Sequence, residues 1–227
     1  IDKCLHPGGI AEYIAEFLTQ FYYFAWAGAT ILAIVLVLIQ RQINWLAKQM
    51  GASDFWYPLS FLPSILLWVF LCDENALLAF PVSITLALFA LIIQRKTAHS
   101  WGRIIYTLLM MPVLYWIVGG GAYFIFVIGV IIGHCIKSVP ATYNKSYIWI
   151  PIYILLGILC PLLAQNLTQY PLLSLMTGID YYRFPMIVPN TLLLTIATVA
   201  IMPGTLALLP PPAKGTKVWM AAIPTLL

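Results

Sequence analysis

The chain has 227 residues, of which 63% are apolar and 8% charged, and it carries a net charge of +4. An ordinary soluble domain is roughly 45–50% apolar and about 25% charged. This chain has too little polar surface to cover a water-soluble globule, and it reads as an integral membrane protein. Its small positive excess is no nucleic-acid signal, because the cations fall in short segments between apolar runs and no basic run is interleaved with aromatics. No nucleic-acid partner is expected.

In chain order, Pro7-Gly8-Gly9 breaks any preceding structure. Ile10, Tyr13, Ile14, Phe17, Leu18 and Phe21 then recur at helical spacing, while Glu12, Glu16 and Gln20 step by four along a polar stripe. This predicts an amphipathic helix over 8–21 at a membrane interface. Such helices usually carry Lys and Arg on the polar face, so acids there favour a face turned to a cavity or a partner. A crossing helix needs about 20 residues, within a range of about 17–25. Spans are expected near 22–40, 56–72, 76–94, 101–118, 120–136, 147–165 and 187–209, with a further one starting at 218–227 and another ahead of Ile1. Gly119-Gly120-Gly121 suits a tight hairpin between the fourth and fifth spans. Prolines fall within spans at Pro63, Pro81, Pro112, Pro151, Pro161 and Pro203, and Pro203-Gly204 is where a helix break is expected. Trp56, Tyr57, Trp101, Tyr147, Trp149 and Trp219 fit aromatic belts at span ends. The fold class that follows is an all-α polytopic transmembrane bundle, one membrane domain over 1–227, with about seven spans and an interfacial helix.

On this arrangement the charges sort by face. Arg41, Lys48, Arg95, Lys96, Arg103, Lys137, Lys145, Lys214 and Lys217 share one face with Asp54, and only Lys3 and Arg183 fall on the other. Asp2, Glu12, Glu16, Asp73, Glu74 and Asp180 lie opposite the cations. Short loops rich in Lys and Arg stay in the cytoplasm, so the N-terminus of the chain is expected to be extracytoplasmic.

The candidate chemistry lies on the acidic face. Asp2, His6, Glu12 and Glu16 fall close together in sequence, and carboxylates at i and i+4 share a helix face. They could supply a general base or hold a divalent metal; the plainer alternative is a solvated face. In the segment 166–186, the fork of Arg183 matches a phosphate or carboxylate, and the alternative is an exposed pair with Asp180. Asp73 and Glu74 occupy a short turn, and His134 reads as a hydrogen-bonded packing residue near the end of a span. Cys4 and Cys72 share the acidic face, as a disulfide or as two thiols. No CxxC or Cys/His spacing suggests zinc or haem. No span centre carries Asp, Glu, Lys or Arg, which counts against a proton-driven transporter.

His6-Pro7-Gly8-Gly9-Ile10-Ala11-Glu12-Tyr13, followed by Phe17-Leu18-Thr19-Gln20-Phe21-Tyr22, resembles a segment of an uncharacterised family of bacterial multi-pass inner-membrane proteins. That resemblance implies a location in the bacterial inner membrane and brings no activity with it. Acids and an interfacial helix beside the first span are also similar to the architecture of membrane glycosyltransferases of the C-type fold, which use polyprenyl-phosphate sugars. By that analogy Asp2 sits where such an enzyme keeps its acid, although the loop that holds Asp2 lacks the paired Asp-Glu dipeptide of those enzymes. Three functions are carried forward. One is an outer-leaflet glycosyl or glycolipid transferase, with Asp2, Glu12 or Glu16 as base or metal ligand and Arg183, Asp180 and His6 at the substrate. Another is a non-enzymatic subunit of a cell-envelope assembly, docking a protein partner through the acidic face. The last is a transporter or flippase with a cavity near Pro151, Pro161 and Pro203. Membrane lipids, with polyprenyl phosphate or a glycolipid among them, are the expected partners.

Overall fold

The computed structural model describes residues 6–73, 76–97, 99–136, 146–168, 170–177 and 190–210, and no strand occurs among them. Helix α1 (Gly9–Thr19) leads through a 3-10 turn (Gln20–Tyr23) into α2 (Ala25–Gln49). A second 3-10 segment (Asp54–Phe61), started by the Ser53 hydroxyl accepting from the Phe55 amide, runs on into α3 (Leu62–Leu71). Then come α4 (Ala79–Lys96), α5 (Ser100–Val118) and α6 (Gly120–Cys135). A 3-10 turn (Ser146–Trp149) opens α7 (Ile150–Thr168), followed by the short α8 (Leu172–Thr177) and by α9 (Asn190–Leu208).

The prolines do not break these helices. Pro63, Pro81 and Pro151 sit in first turns, where the missing N–H would have had no intrahelical partner. Pro112, Pro161 and Pro203 lie inside α5, α7 and α9. The break expected at Pro203-Gly204 does not occur: α9 continues to Leu208 with both residues buried. Packed neighbours hold such a helix together although one backbone bond is lost.

Six helices among the described residues are long and apolar enough to cross a membrane, and α6, at 16 residues, is a shorter apolar helix. Their outer sides are apolar too. Ile34, Val37 and Leu38 on α2, Leu109 and Val113 on α5, and Leu155, Ile158 and Leu163 on α7 are exposed. Such surfaces suit lipid and not water. The protein is therefore an integral, multi-pass, all-α membrane protein.

The interior is organised around α6, which packs on α4, α5, α7, α8 and α9. Hydrocarbon supplies no hydrophobic drive between helices, so close backbone approach and hydrogen bonds hold them. The glycines of α6 permit that approach. A Cβ on Gly129 would come within 2.5 Å of Leu91 on α4, and one on Gly204 of α9 within 2.5 Å of Ile132 on α6. The Gly157 position of α7 faces Val127 in the same way, at 3.3 Å. Buried hydrogen bonds add to this: Gln40 donates to Ser60 at 2.9 Å and Ser64 to the Leu36 carbonyl at 3.0 Å. Interhelical bonds of this kind contribute about 0.6 kcal/mol each on average.

Helix α1 is amphipathic, and its apolar residues divide between two surroundings. Ala11 and Ala15, with Ile14 and Leu18, pack on Leu78 and Val82 of the α4 start. Tyr13 and Phe17 point outward, continuing into exposed Phe21, Tyr23, Phe24 and Trp26. Small residues face the bundle and aromatics face away, as a belt at a membrane interface would have them. Charges separate between the two ends of the bundle. Glu12, Glu16 and Asp73 lie at the end of the α5–α6 turn, and Lys48, Asp54, Arg95, Lys96 and Arg103 at the opposite one.

Candidate functional site

The α5–α6 turn is the anchor of the acidic end. Gly119 alone links the two helices, with φ 77° and ψ 178°, a conformation open to glycine and strained for other residues. The N-terminal segment lies against this turn. The amide of Gly8 donates to the Trp116 carbonyl at 2.9 Å, and a Cβ on Gly8 would sit 3.4 Å from the Gly119 Cα. Gly8 itself is left-handed, with φ 87°, and forms the N-cap of α1. The Pro7-Gly8-Gly9 break thus reverses the chain where the Gly8 backbone meets α5.

That reversal brings His6 back onto the first turn of α1. Its Nε2–H donates to Oε2 of Glu12 at 3.2 Å, with side-chain exposures of 15% and 16%. A carboxylate only accepts, so it selects the protonated Nε2 tautomer and orients the ring. A half-buried imidazole held by a carboxylate is a pair able to take up a proton from a substrate hydroxyl. Glu16, one turn further, is exposed. The i, i+4 acids therefore serve different surroundings, Glu12 in the pair and Glu16 towards solvent.

Helix α8 closes the other side of the turn. A Cβ on Gly120 would run into the Leu175 carbonyl and the Met176 backbone, and one on Gly121 would lie 2.7 Å from the Thr177 carbonyl. The Tyr115 hydroxyl donates to the same Leu175 carbonyl at 3.2 Å, and its ring stacks edge-on with Tyr123, centroids 5.2 Å apart. The three glycines thus receive backbone from the N-terminal segment on one side and from α8 on the other.

Of the residues expected at the site, His6 and Glu12 come together and Glu16 stands apart in exposure. Asp2, Asp180 and Arg183 lie outside the described residues, as do Cys4 and Glu74. The last described residue before Asp180 is Thr177, whose carbonyl meets Gly121. Among the described residues no three His, Cys, Asp or Glu side chains converge as a metal site would require. Sequence reasoning missed the Trp116 carbonyl, Tyr115 and α8 as parts of this end. The glycine run was the only signal, and it announced a hairpin without naming what would lie on it.

The chain matches a family of unknown function, DUF6057, over residues 1–224. No curated protein and no solved structure matches it.

Proposed function

We propose, for a chain that belongs to the DUF6057 family of unknown function and takes no activity from it, a transferase acting at the extracytoplasmic face of the bacterial inner membrane. Its reaction moves a glycosyl or glycolipid group from a lipid-linked phosphate donor to an acceptor hydroxyl. The observation that supports this reading is the half-buried His6–Glu12 pair, 3.2 Å apart, seated on the glycine turn. In the reaction the acceptor oxygen bonds to the anomeric carbon, the bond from that carbon to the donor phosphate breaks, and polyprenyl phosphate leaves. The hydroxyl proton passes to the His6–Glu12 pair. Arg183 and Asp180 are assigned to the donor phosphate and acceptor, and Asp2 supplements the pair.

General-base groups contribute typically about 10²–10⁴-fold. Cells lacking the chain, complemented with Glu12→Gln, are therefore expected to transfer about 10²–10⁴-fold more slowly than the wild type and to accumulate glycosylated polyprenyl phosphate. Lipid-extract mass spectrometry reads this. An unchanged glycolipid profile with Glu12→Gln folded and inserted would remove the transferase reading.

A second reading, a non-enzymatic envelope subunit, draws on a different observation. Glu16 is exposed beside the outward-facing Tyr13 and Phe17, a surface of aromatic and acidic groups suited to a basic protein partner. Exposed charge contacts are screened by salt, so a stoichiometric partner should co-purify at low ionic strength and be lost at high. Its retention by Glu16→Lys would rule out docking through this face.

A further inference from the structure

We infer that the span Asp54–Leu71 adjusts its length to the thickness of the surrounding bilayer, its first half passing between 3-10 helix and α-helix. That half, Asp54–Phe61, is a 3-10 helix of 8 residues that runs without a break into α3. Runs longer than about 3–4 residues are uncommon, because i→i+3 bonds are poorly aligned. Two prolines explain this one. Pro58 has no N–H for the Asp54 carbonyl, and its ring would crowd that carbonyl in an α-helix. Pro63, in the first turn of α3, does the same to the Leu59 carbonyl, which instead accepts from the Leu62 amide.

The 3-10 form is in register with α2. Buried Gln40 donates to Ser60 at 2.9 Å, and Ser64 donates to the Leu36 carbonyl at 3.0 Å, so two bonds cross between the helices one turn apart. At the cationic end Lys48 meets Asp54 at 2.6 Å. On α2 Lys48 lies eight positions past Gln40, whereas Asp54 lies only six before Ser60. The spacings match because six residues of 3-10 helix rise about 12 Å, as eight of α-helix do. The Trp56 indole, donating to the Pro210 carbonyl at 3.1 Å, also ties this half to the end of α9. Ser60 is the fixed point. Its hydroxyl donates to the Tyr57 carbonyl at 2.6 Å, and such a hydroxyl reaches an i−3 or an i−4 carbonyl, so it keeps its bond from Gln40 in either form. The Lys48–Asp54 pair is exposed on both sides and contributes little to holding the 3-10 form.

Thickness is the variable that the two forms distinguish. As α-helix throughout, the 18 residues of this span would rise about 27 Å; with the 3-10 half they rise about 31 Å. The hydrocarbon core is about 30 Å thick and differs by several ångströms between membranes. Exposed Tyr57 and Trp68 lie towards the two ends of the span, where aromatic rings anchor at the headgroups. Mismatch carries only a modest cost per ångström, so it selects between forms of nearly equal stability. Here the poorer bonds of the 3-10 helix and the missing donor of Pro58 oppose each other. A thin bilayer then favours the shorter α form, in which Asp54 draws away from Lys48 and the Trp56 indole, rotated with its turn, leaves Pro210. The end of α9 is thereby released from the span.

The test measures the distance between spin labels at Cys72 and at Ala52→Cys, either side of the span, in the whole protein with its other cysteines replaced. Double electron–electron resonance is recorded in nanodiscs of dimyristoleoyl and of dieicosenoyl phosphatidylcholine, a thin and a thick bilayer. The distance should be about 4 Å shorter in the thin one, the difference in rise over the 3-10 half. Labels at Asn190→Cys and Leu208→Cys, both exposed on the continuous α9, should keep their distance, because tilting changes none within a helix. Pro58→Ala restores the donor to Asp54 and should hold the short distance in both bilayers. The proposal is overturned if the Ala52–Cys72 distance is the same in both bilayers or if the α9 pair shortens equally. It is also overturned if Pro58→Ala folds and keeps the long distance. Should Pro58→Ala not fold, the comparison of the two bilayers decides alone.

Discussion

Glycines at the two ends of the bundle do two different jobs, and substitution separates them. Gly51, after α2, has φ 98° and nothing within 4 Å of an added Cβ. Gly51→Ala should therefore cost only backbone strain, about 1 kcal/mol. Gly120 is limited by space, since its Cβ would meet the backbone of Leu175 and Met176 and no side chain can rotate away. Gly120→Ala should cost about 3 kcal/mol, the upper range of ordinary overpacking. Thermal unfolding of both variants in detergent measures the difference, and equal losses would show that α8 is not seated on the turn. At this scale the sequence was legible in part. His6, Glu12 and the Pro7-Gly8-Gly9 break all stood out, but the partners six residues apart meet only because Gly8 is left-handed and pinned to Trp116, a contact across 108 positions that spacing cannot encode. The donors and acceptors that decide a site are set by such long-range backbone contacts.

Helices α4 and α6 test how packing replaces the hydrophobic drive. Leu91 fills the groove left by Gly129, so Gly129→Ala should destabilise by about 1–3 kcal/mol, and Leu91→Ala should destabilise through its own cavity. Combined, the two should cost less than their sum by 0.5 kcal/mol or more, the coupling expected of residues in contact. Gly204→Ala, which meets Ile132 on another side of α6, should show no such coupling with Leu91→Ala. Unfolding in a mixed-micelle titration gives the cycle, and strict additivity at Gly129 would mean that the two helices do not interlock there. Hydropathy and turn residues were enough to locate these helices, because length and apolarity are local properties. They did not reveal α6 as the centre, since a buried apolar helix and a lipid-facing one read alike in hydrophobicity. The four-residue step from Gly129 to Gly133 was the available signal. The continuous α9 across Pro203 was hidden for the same reason, because neighbours and not the local sequence decide whether a lost backbone bond opens a helix.

For the whole molecule, the separation of charge is the basis of a proposed orientation. Glu12, Glu16 and Asp73 gather at one end, and Lys48, Arg95, Lys96 and Arg103 at the other, with Asp54 the exception. Lys and Arg near span ends hold their segments in the cytoplasm, so the proposed orientation has the His6–Glu12 pair outside and the end carrying Arg95 and Arg103 inside. Two native cysteines report on this without any inserted tag. Cys72 follows α3 directly, next to Asp73, and Cys135 is the last residue of α6, and both are exposed. In variants retaining one cysteine each, a membrane-impermeant maleimide added to spheroplasts should label Cys72 and spare Cys135. In inside-out vesicles the pattern should reverse. Labelling of Cys135 from outside would invert the whole molecule and move the proposed transferase site to the cytoplasmic leaflet. Labelling of both from one side would mean that α4, α5 and α6 do not cross in sequence, and the charge separation would then need another cause. The experiment has this reach because α4, α5 and α6 are an odd number of crossings between the two thiols, so their sidedness depends on each of the three being a true span.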